Sequence, residues 1–186
     1  MIDSLIHFIE QVLIPLGGWG VFLACLLEEI IAPIPSAFVL TLSGFIFLDG
    51  PLSFDLFLRL IFIVVLPASL GVTIGSLAVY GIAYGAGKPI LIRWGRWLGL
   101  SWRDVETLQK KLDTKNVDEI TLFVLRVIPL VPSVAISACY GLIRFDIKKY
   151  LLLTFLGTCI RATMLALLGW KVGSLYLKYA HVIGRV

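Results

Sequence analysis

Four ionisable residues lie within or at the edge of strongly apolar stretches of the sequence. Glu28 and Glu29 stand near the end of an apolar run that begins at Trp19, and Arg126 and Arg161 each interrupt a run with no other charge. A charged side chain at membrane depth costs about 2.5–3.5 kcal/mol on insertion scales unless it pairs or faces water. Charges in this setting are typical of ion pathways and of groups that bind a charged substrate.

Proline-containing breaks follow these charges and divide the apolar runs into short arms. Arms of about 10–15 residues reach roughly 15–22 Å as helices, which is less than the hydrocarbon core of about 30 Å. We therefore predict two re-entrant hairpins whose tips are shielded by protein or by a wet cavity, because lipid does not tolerate irregular backbone. The residues predicted to form the transport and substrate-binding site are Glu28, Glu29, Pro33, Pro35, Ser36, Arg126, Pro129, Pro132 and Arg161.

The composition places this site in a membrane protein. Of the 186 residues, 59% are hydrophobic and 15% are charged, against about 25% charged in ordinary globular chains. The mean hydropathy is +0.98. Such a chain is not a soluble enzyme, a disordered segment or a nucleic-acid-binding module. We predict an all-α protein with a single membrane domain over 1–186, integral to the cell (plasma or inner) membrane and without a removable signal peptide.

The two halves of the sequence share a plan. Each has an arm with an ionisable residue, a proline break, a second arm, a surface turn and a run long enough to span, predicted over 60–87 and 150–170. Pro35 and Pro132 each stand nine residues before a glycine. The common order predicts an internal repeat.

The charge distribution predicts opposite orientations for the two repeats. Repeat 1 covers about 17–87, a polar linker covers 88–118, and repeat 2 covers about 119–173. The linker contains seven of the 16 basic residues, so the positive-inside rule predicts that it is cytoplasmic. With an interfacial amphipathic helix over 2–16, the predicted fold is an inverted repeat of a re-entrant hairpin plus a transmembrane helix, an architecture of transporters.

The repeat brings an acid and a base to similar positions. Glu28 lies seven residues before Pro35, and Arg126 lies six residues before Pro132. We expect one hairpin to present an acid and the other a base to one central cavity, with a purely structural salt bridge as the alternative. A ligand anion on the arginine would release the carboxylate to take up a proton, which provides a route to proton coupling.

No arrangement for hydrolysis, metal binding or a cofactor stands out in the sequence. The two histidines, His7 and His181, lie near the chain ends, the three cysteines form no CxxC pair, and no Gly-rich phosphate loop is present. We therefore predict that the chain is not an enzyme and carries no cofactor or metal.

The motifs around the proline breaks resemble the DedA family, also called the SNARE-associated or VTT domain family. The segment 28–36, with its Pro-Ile-Pro-Ser break, is similar to the first hairpin of that family, and 123–129, with its Arg-Val-Ile-Pro motif, is similar to the second. The resemblance covers about residues 20–175. Many members carry a second acid directly after the first break, where this chain has Ala37.

This resemblance implies an integral membrane protein that moves lipids between leaflets. It implies undecaprenyl phosphate or phosphatidylethanolamine as the lipid in bacterial relatives, and glycerophospholipids, by scrambling, in eukaryotic ones. We expect a flippase or scramblase with membrane lipids as partners and no nucleic acid, and we leave proton coupling and a homo-oligomer open. Two alternatives stay: a proton-coupled transporter of a small solute or ion, and a non-transporting membrane assembly factor.

Overall fold

The computed structural model describes residues 14–31, 36–94, 118–129 and 131–183, and the regular elements within these ranges are all helical. The predicted interfacial helix over 2–16 and most of the linker over 88–118 lie outside the described residues. After a short turn at Ile14–Leu16, the main helices are α1 (Gly18–Ile31), α2 (Ser36–Phe47), α3 (Phe54–Arg59, the π-helical Leu60–Val65 and Leu66–Trp94), α4 (Asp118–Val127), α5 (Ser133–Leu142) and α6 (Ile147–Ile183).

Two of these helices are long and apolar enough to cross a membrane. Their candidate spans are Phe54–Gly85 and Ile147–Leu175. The other main helices have 10 to 14 residues, which is at most about 21 Å and less than a hydrocarbon core of about 30 Å. The two predicted spanning runs are therefore present as helices.

Both long helices exceed their predicted bounds. Helix α3 begins before residue 60 because the Ser53 hydroxyl caps it by accepting a hydrogen bond from the Leu56 amide. It continues past residue 87 to Trp94. Helix α6 begins at Ile147 and continues past residue 170, the end of the predicted span, to Ile183. No proline interrupts it.

A π-helical segment, Leu60–Val65, interrupts α3 and ends two residues before Pro67. A proline lacks the amide hydrogen, and its ring crowds the carbonyl four residues earlier. A wider π turn relieves that conflict. Gly18 of α1 packs here, since a Cβ at this position would lie 3.2 Å from Pro67 Cγ.

Side chains are distributed as in a membrane protein. Large apolar residues stay exposed along the outer surface of the helices, among them Phe57, Phe62, Ile74, Met164 and Leu168. The interior has an apolar core. It also contains polar and charged side chains, namely Glu29, Ser43, Ser69, Thr73, Ser76, Arg126, Ser133, Ser137, Thr154, Thr158 and Arg161. Exposed apolar surface of this extent is stable against lipid rather than water.

The short helices pack on the long helices in a crossed pattern. Helix α1 packs on α3, and α4 packs on α6, so the first arm of each half contacts the long helix that follows it. The second arms are exchanged, because α2 packs on α6 and α5 packs on α3. Each half therefore contributes a helix to the packing of the other.

Glycines make the exchanged contacts close. A Cβ on Gly44 of α2 would lie 2.0 Å from the Ala166 carbonyl oxygen of α6, and one on Gly141 of α5 would lie 2.5 Å from the Tyr80 carbonyl oxygen of α3. Small residues let helix backbones approach each other in this way. The nine-residue spacing from proline to glycine in each half thus serves an equivalent helix contact.

Candidate functional site

The acid and the base of the site occupy corresponding positions on α1 and α4. Glu29 lies in the last turn of α1, and Arg126 lies in the last turn of α4. Each packs over a glycine of the adjacent long helix: a Cβ on Gly75 would lie 2.8 Å from Glu29 Cβ, and one on Gly157 would lie 2.6 Å from Arg126 Cβ. The first arms of the two halves, α1 and α4, therefore place opposite charges in the interior with the same local geometry.

Glu29 and Arg126 face each other in the interior. Arg126 Nη1 lies 3.8 Å from Glu29 Oε1, and each side chain is 1% exposed. The Ser133 hydroxyl accepts a hydrogen bond from Arg126 Nη1. The contact is thus a long ion pair with a serine beside it, rather than a short bidentate pair.

Neutral hydroxyl groups hold the guanidinium in place. Arg126 Nη2 donates to Ser137 Oγ at 2.9 Å and to the Tyr150 hydroxyl oxygen at 2.7 Å. Ser137 in turn donates to the Ser133 carbonyl at 3.0 Å. These acceptors orient the arginine without cancelling its positive charge, which the Glu29 carboxylate balances at 3.8 Å.

Both members of the pair keep hydrogen-bonding capacity. Within the described part of the chain, Glu29 Oε2 and Arg126 Nε are buried and have no hydrogen-bond partner. An unsatisfied buried polar atom costs free energy, so the pair is not arranged for maximal stability. It retains one acceptor and one donor for a group that reaches the site.

A second arginine and a second acid lie beside this pair. Arg161 of α6 is buried, its Nη2 is 3.5 Å from the Pro129 carbonyl oxygen, and it interacts electrostatically with Glu28 and Glu29. The structure thus brings together the four charged residues predicted for the site. Two acids and two bases make the cluster formally neutral, which lowers the cost of burying it.

The carboxylate in contact with Arg126 is that of Glu29, and not that of Glu28 on which the sequence comparison concentrated. An equal spacing identifies it, because Glu29 and Arg126 each stand six residues before the corresponding prolines, Pro35 and Pro132. The acid that corresponds to Arg126 is therefore Glu29, one residue after the Glu28 that the sequence analysis paired with it.

The proline breaks are described in part. Pro129 follows α4 and offers its carbonyl to Arg161, and Pro132 is the N-cap residue of α5. Pro33 and Pro35 lie outside the described residues. Ser36 begins α2, but its side chain is likewise outside them.

Hydroxyl side chains of the site were missed by the sequence analysis. Ser133, Ser137 and Tyr150 contact Arg126. Further buried hydroxyls line the long helices at a spacing of four and three residues, at Ser69, Thr73 and Ser76 of α3 and at Thr154 and Thr158, with Arg161, of α6. That spacing places each set on one helix face, and it was available in the sequence as a signal.

An apolar cavity of about 650 Å³ lies between α1 and α3. Its walls come from both helices and from the π-helical segment, and they are formed by Gly18, Trp19, Phe22, Phe62, Leu66, Pro67, Leu70 and Ile74. Its surface suits hydrocarbon rather than a polar solute.

The chain is similar to several bacterial proteins over most of its length. It is 24% identical to an uncharacterized membrane protein, YbfM, of Bacillus subtilis, over 92% of this chain and 99% of that protein. It is 25% identical to Undecaprenyl phosphate transporter A of the same species, over 97% of this chain and 84% of that protein.

A third relative carries a different name. An alkaline phosphatase-like protein of Lactococcus lactis is 29% identical, over 95% of this chain and 80% of that protein. Among the residues that the structure describes here, no three His, Cys, Asp or Glu side chains are grouped so as to hold a metal ion.

No solved structure matches the chain. The VTT domain, by contrast, matches residues 34–171. This match extends from the first proline break to α6 and includes Arg126 and Arg161. The chain therefore belongs to the VTT domain family, the DedA or SNARE-associated family of membrane proteins.

Proposed function

We propose that the chain is a lipid transporter of the cell membrane that moves phosphate-bearing lipids between the leaflets as a flippase or scramblase. The observation that carries this proposal is the environment of the Arg126 side chain. The side chain is buried and held by three neutral hydroxyls, and its carboxylate partner lies 3.8 Å away. A guanidinium held in this manner is positioned to bind a phosphate, whose geometry it matches.

The proposed architecture is an inverted repeat of two re-entrant hairpins. Helices α1 and α2 form one hairpin, α4 and α5 form the other, and each hairpin reaches the interior from a different face of the membrane. The short helix lengths and the crossed packing on α3 and α6 support this arrangement. Hairpins of this kind thin the hydrophobic barrier where the charges lie.

In the proposed mechanism, the lipid phosphate replaces the Glu29 carboxylate as the anionic partner of Arg126. The Ser133 and Ser137 hydroxyls keep the guanidinium oriented while its anionic partner changes. The acyl chains stay in hydrocarbon, for which the apolar cavity between α1 and α3 offers a surface. When the phosphate occupies Arg126, the carboxylate of Glu29 loses its counter-charge and favours the protonated form.

The substrate class follows from the same contacts. A phospholipid and a polyprenyl phosphate both present a phosphate group on an apolar body, and both satisfy this site. The name of one relative, Undecaprenyl phosphate transporter A, agrees with a phosphate-bearing lipid.

The test is transbilayer movement in liposomes that contain the purified chain. Fluorescent phospholipid in the inner leaflet becomes accessible to an external quencher only after it crosses the membrane. We expect the wild-type chain to accelerate the loss of fluorescence and the variant Glu29→Gln/Arg126→Gln to abolish that acceleration.

A matched control removes a different ion pair. Glu119 and Lys149 form a contact of 2.5 Å at the surface, with both side chains more than half exposed. The variant Glu119→Gln/Lys149→Gln should transport like the wild type. Full transport by the interior double variant would show that the interior charges serve only the fold, and no transport by the wild type would refute lipid movement itself.

A further inference from the structure

Arg144 closes α5 in a backbone conformation that disfavours its side chain. Its φ is +53°, in the left-handed region that non-glycine residues seldom occupy. The Arg144 amide donates to the Gly141 carbonyl at 3.1 Å, and the Phe145 amide donates to the Tyr140 carbonyl at 3.1 Å. This is the Schellman pattern, in which the residue at the position of Arg144 is usually glycine. Conformational strain that persists in this way tends to mark a functional position.

The Arg144 side chain lies over an open cavity. The cavity has a volume of about 490 Å³, and its walls come from α3 and from the turn between α5 and α6. The guanidinium stands over the Tyr84 ring at 5.3 Å from its centre, and within the described part of the chain it makes no hydrogen bond or ion pair. The stacked arginine thus has its donors available to a ligand.

One carboxylate shares this cavity with Arg144. Asp146 is the N-cap residue of α6, and its Oδ1 accepts a hydrogen bond from the Lys149 amide at 2.9 Å. The helix N-terminus therefore engages this carboxylate.

The inner wall of the cavity is connected to the central site. The Tyr80 hydroxyl donates to the Phe145 carbonyl, and the Tyr80 ring lies 4.6 Å from the Tyr150 ring, centre to centre. Tyr150 accepts a hydrogen bond from Arg126. Two aromatic residues thus separate the cavity from the buried arginine.

We propose that the cavity at Arg144 is a second binding site, which takes the phosphate group of a lipid where the candidate spans end at Gly85 and begin at Ile147. Arg144 binds the phosphate at the membrane surface before the head group moves inward past Tyr80 to Arg126. This inference rests on the proposed function, since it places the surface step of the same lipid path. A glycine at position 144 would end α5 equally well. The proposal therefore gives the arginine side chain a role that ending the helix does not require.

The test measures binding by calorimetry without the central site. The full chain with Glu29→Gln/Arg126→Gln, in detergent, is titrated with dihexanoyl phosphatidic acid, inorganic phosphate or dihexanoylglycerol. We expect the lipid phosphate to bind, dihexanoylglycerol not to bind, and inorganic phosphate to bind more weakly because it lacks the acyl chains.

Replacement of Arg144 separates side-chain function from backbone strain. Arg144→Gly, added to the same background, should weaken phosphatidic acid binding at least about tenfold, the loss expected for a charge-assisted hydrogen bond. It should not lower the melting temperature, because glycine suits this position. Arg144→Lys should weaken binding less, and Lys148→Gln, an exposed neighbour outside the cavity lining, should leave it unchanged.

Unchanged affinity in Arg144→Gly would overturn the proposal. Equal affinity for inorganic phosphate and phosphatidic acid would overturn its lipid part and identify free phosphate as the ligand. If the background variant does not fold, the wild type should bind two phosphatidic acid molecules per chain and Arg144→Gly one. If lipid phosphate binds at Arg144 but the wild type moves no lipid, the proposed function is refuted and the binding site at Arg144 is retained.

Discussion

Glu29 and Arg126 are matched residues of the two halves, and they meet each other. Each lies six residues before the corresponding proline and over a glycine of a long helix. Their charged groups lie 3.8 Å apart with both side chains 1% exposed. Because the positions correspond, exchange of the charges between halves would preserve the pair, whereas neutralising one residue leaves the other buried without its direct partner.

That relationship predicts how the pair responds to single and double neutralisation. Glu29→Gln or Arg126→Gln alone should destabilise the chain by about 3–5 kcal/mol, because each strands a buried charge. The double variant should lose less than the two single variants together. Unfolding in detergent across this double-mutant cycle measures the coupling. Additive losses would mean that the two charges do not interact.

The hydroxyls around Arg126 should matter more than other buried hydroxyls. Ser137→Ala removes an acceptor from Arg126 and should destabilise the chain by about 1–3 kcal/mol and slow lipid movement in liposomes. Ser76→Ala is the matched control. Its hydroxyl is equally buried but donates only to the Thr73 carbonyl of its own helix.

The liposome assay compares the two serine variants directly. Equal effects of Ser137→Ala and Ser76→Ala on transport would contradict the role assigned to the contact between Ser137 and Arg126.

Sequence reasoning predicted the helical class, the long helices and the charged residues that converge, because hydropathy and arm length report these directly. It selected Glu28 rather than Glu29 as the partner of Arg126. Adjacent residues on a helix point about 100° apart, so a spacing that is inexact by one residue does not settle which side chain faces inward.

Two other features could not be predicted from local patterns. The exchange of α2 and α5 between the halves depends on contacts distant in sequence, at Gly44 with Ala166 and at Gly141 with Tyr80. The left-handed conformation of Arg144 could not be predicted, because the sequence signal for a C-cap of this kind is usually a glycine and this position has an arginine.

The contact of α2 with α6 predicts opposite responses at two glycines. Gly44→Ala would place a Cβ 2.0 Å from the Ala166 carbonyl oxygen, so the helices must separate, at a cost of about 1–3 kcal/mol or more. Gly81→Ala meets no atom within 4 Å and should be neutral or stabilising by up to about 1 kcal/mol from helix propensity. The measurement is the melting temperature of each variant in detergent. An unchanged melting temperature in Gly44→Ala would contradict the close packing of α2 on α6.

The proposed hairpins predict the sidedness of three exposed positions. Trp19 lies at the start of α1 and Asp49 follows the end of α2, so Trp19→Cys and Asp49→Cys should be labelled from the same face of the membrane. Lys148→Cys, at the start of α6, should be labelled from the other face. The native cysteines are first replaced, and an impermeant maleimide is added to intact and to opened vesicles. Labelling of positions 19 and 49 from opposite faces would mean that the first two arms span the membrane.

The exchange of anions at Arg126 predicts a proton dependence that resides in Glu29. If a lipid phosphate displaces Glu29 from Arg126, the buried carboxylate takes up a proton, since an uncompensated charge is costly at this depth. A pH difference across the liposome membrane should therefore change the net direction of lipid movement in the wild type. Glu29→Gln, which resembles the protonated acid, should lose this response even where it retains residual movement.

Glu119→Gln should keep the response, because Glu119 is exposed and pairs with Lys149 at the surface. The measurement is the distribution of fluorescent lipid between leaflets, with and without an ionophore that dissipates the pH difference. A wild type that is indifferent to the gradient but still moves lipid would identify passive scrambling. A Glu29→Gln variant that still follows the gradient would move the proton site away from Glu29, toward Glu28 beside Arg161.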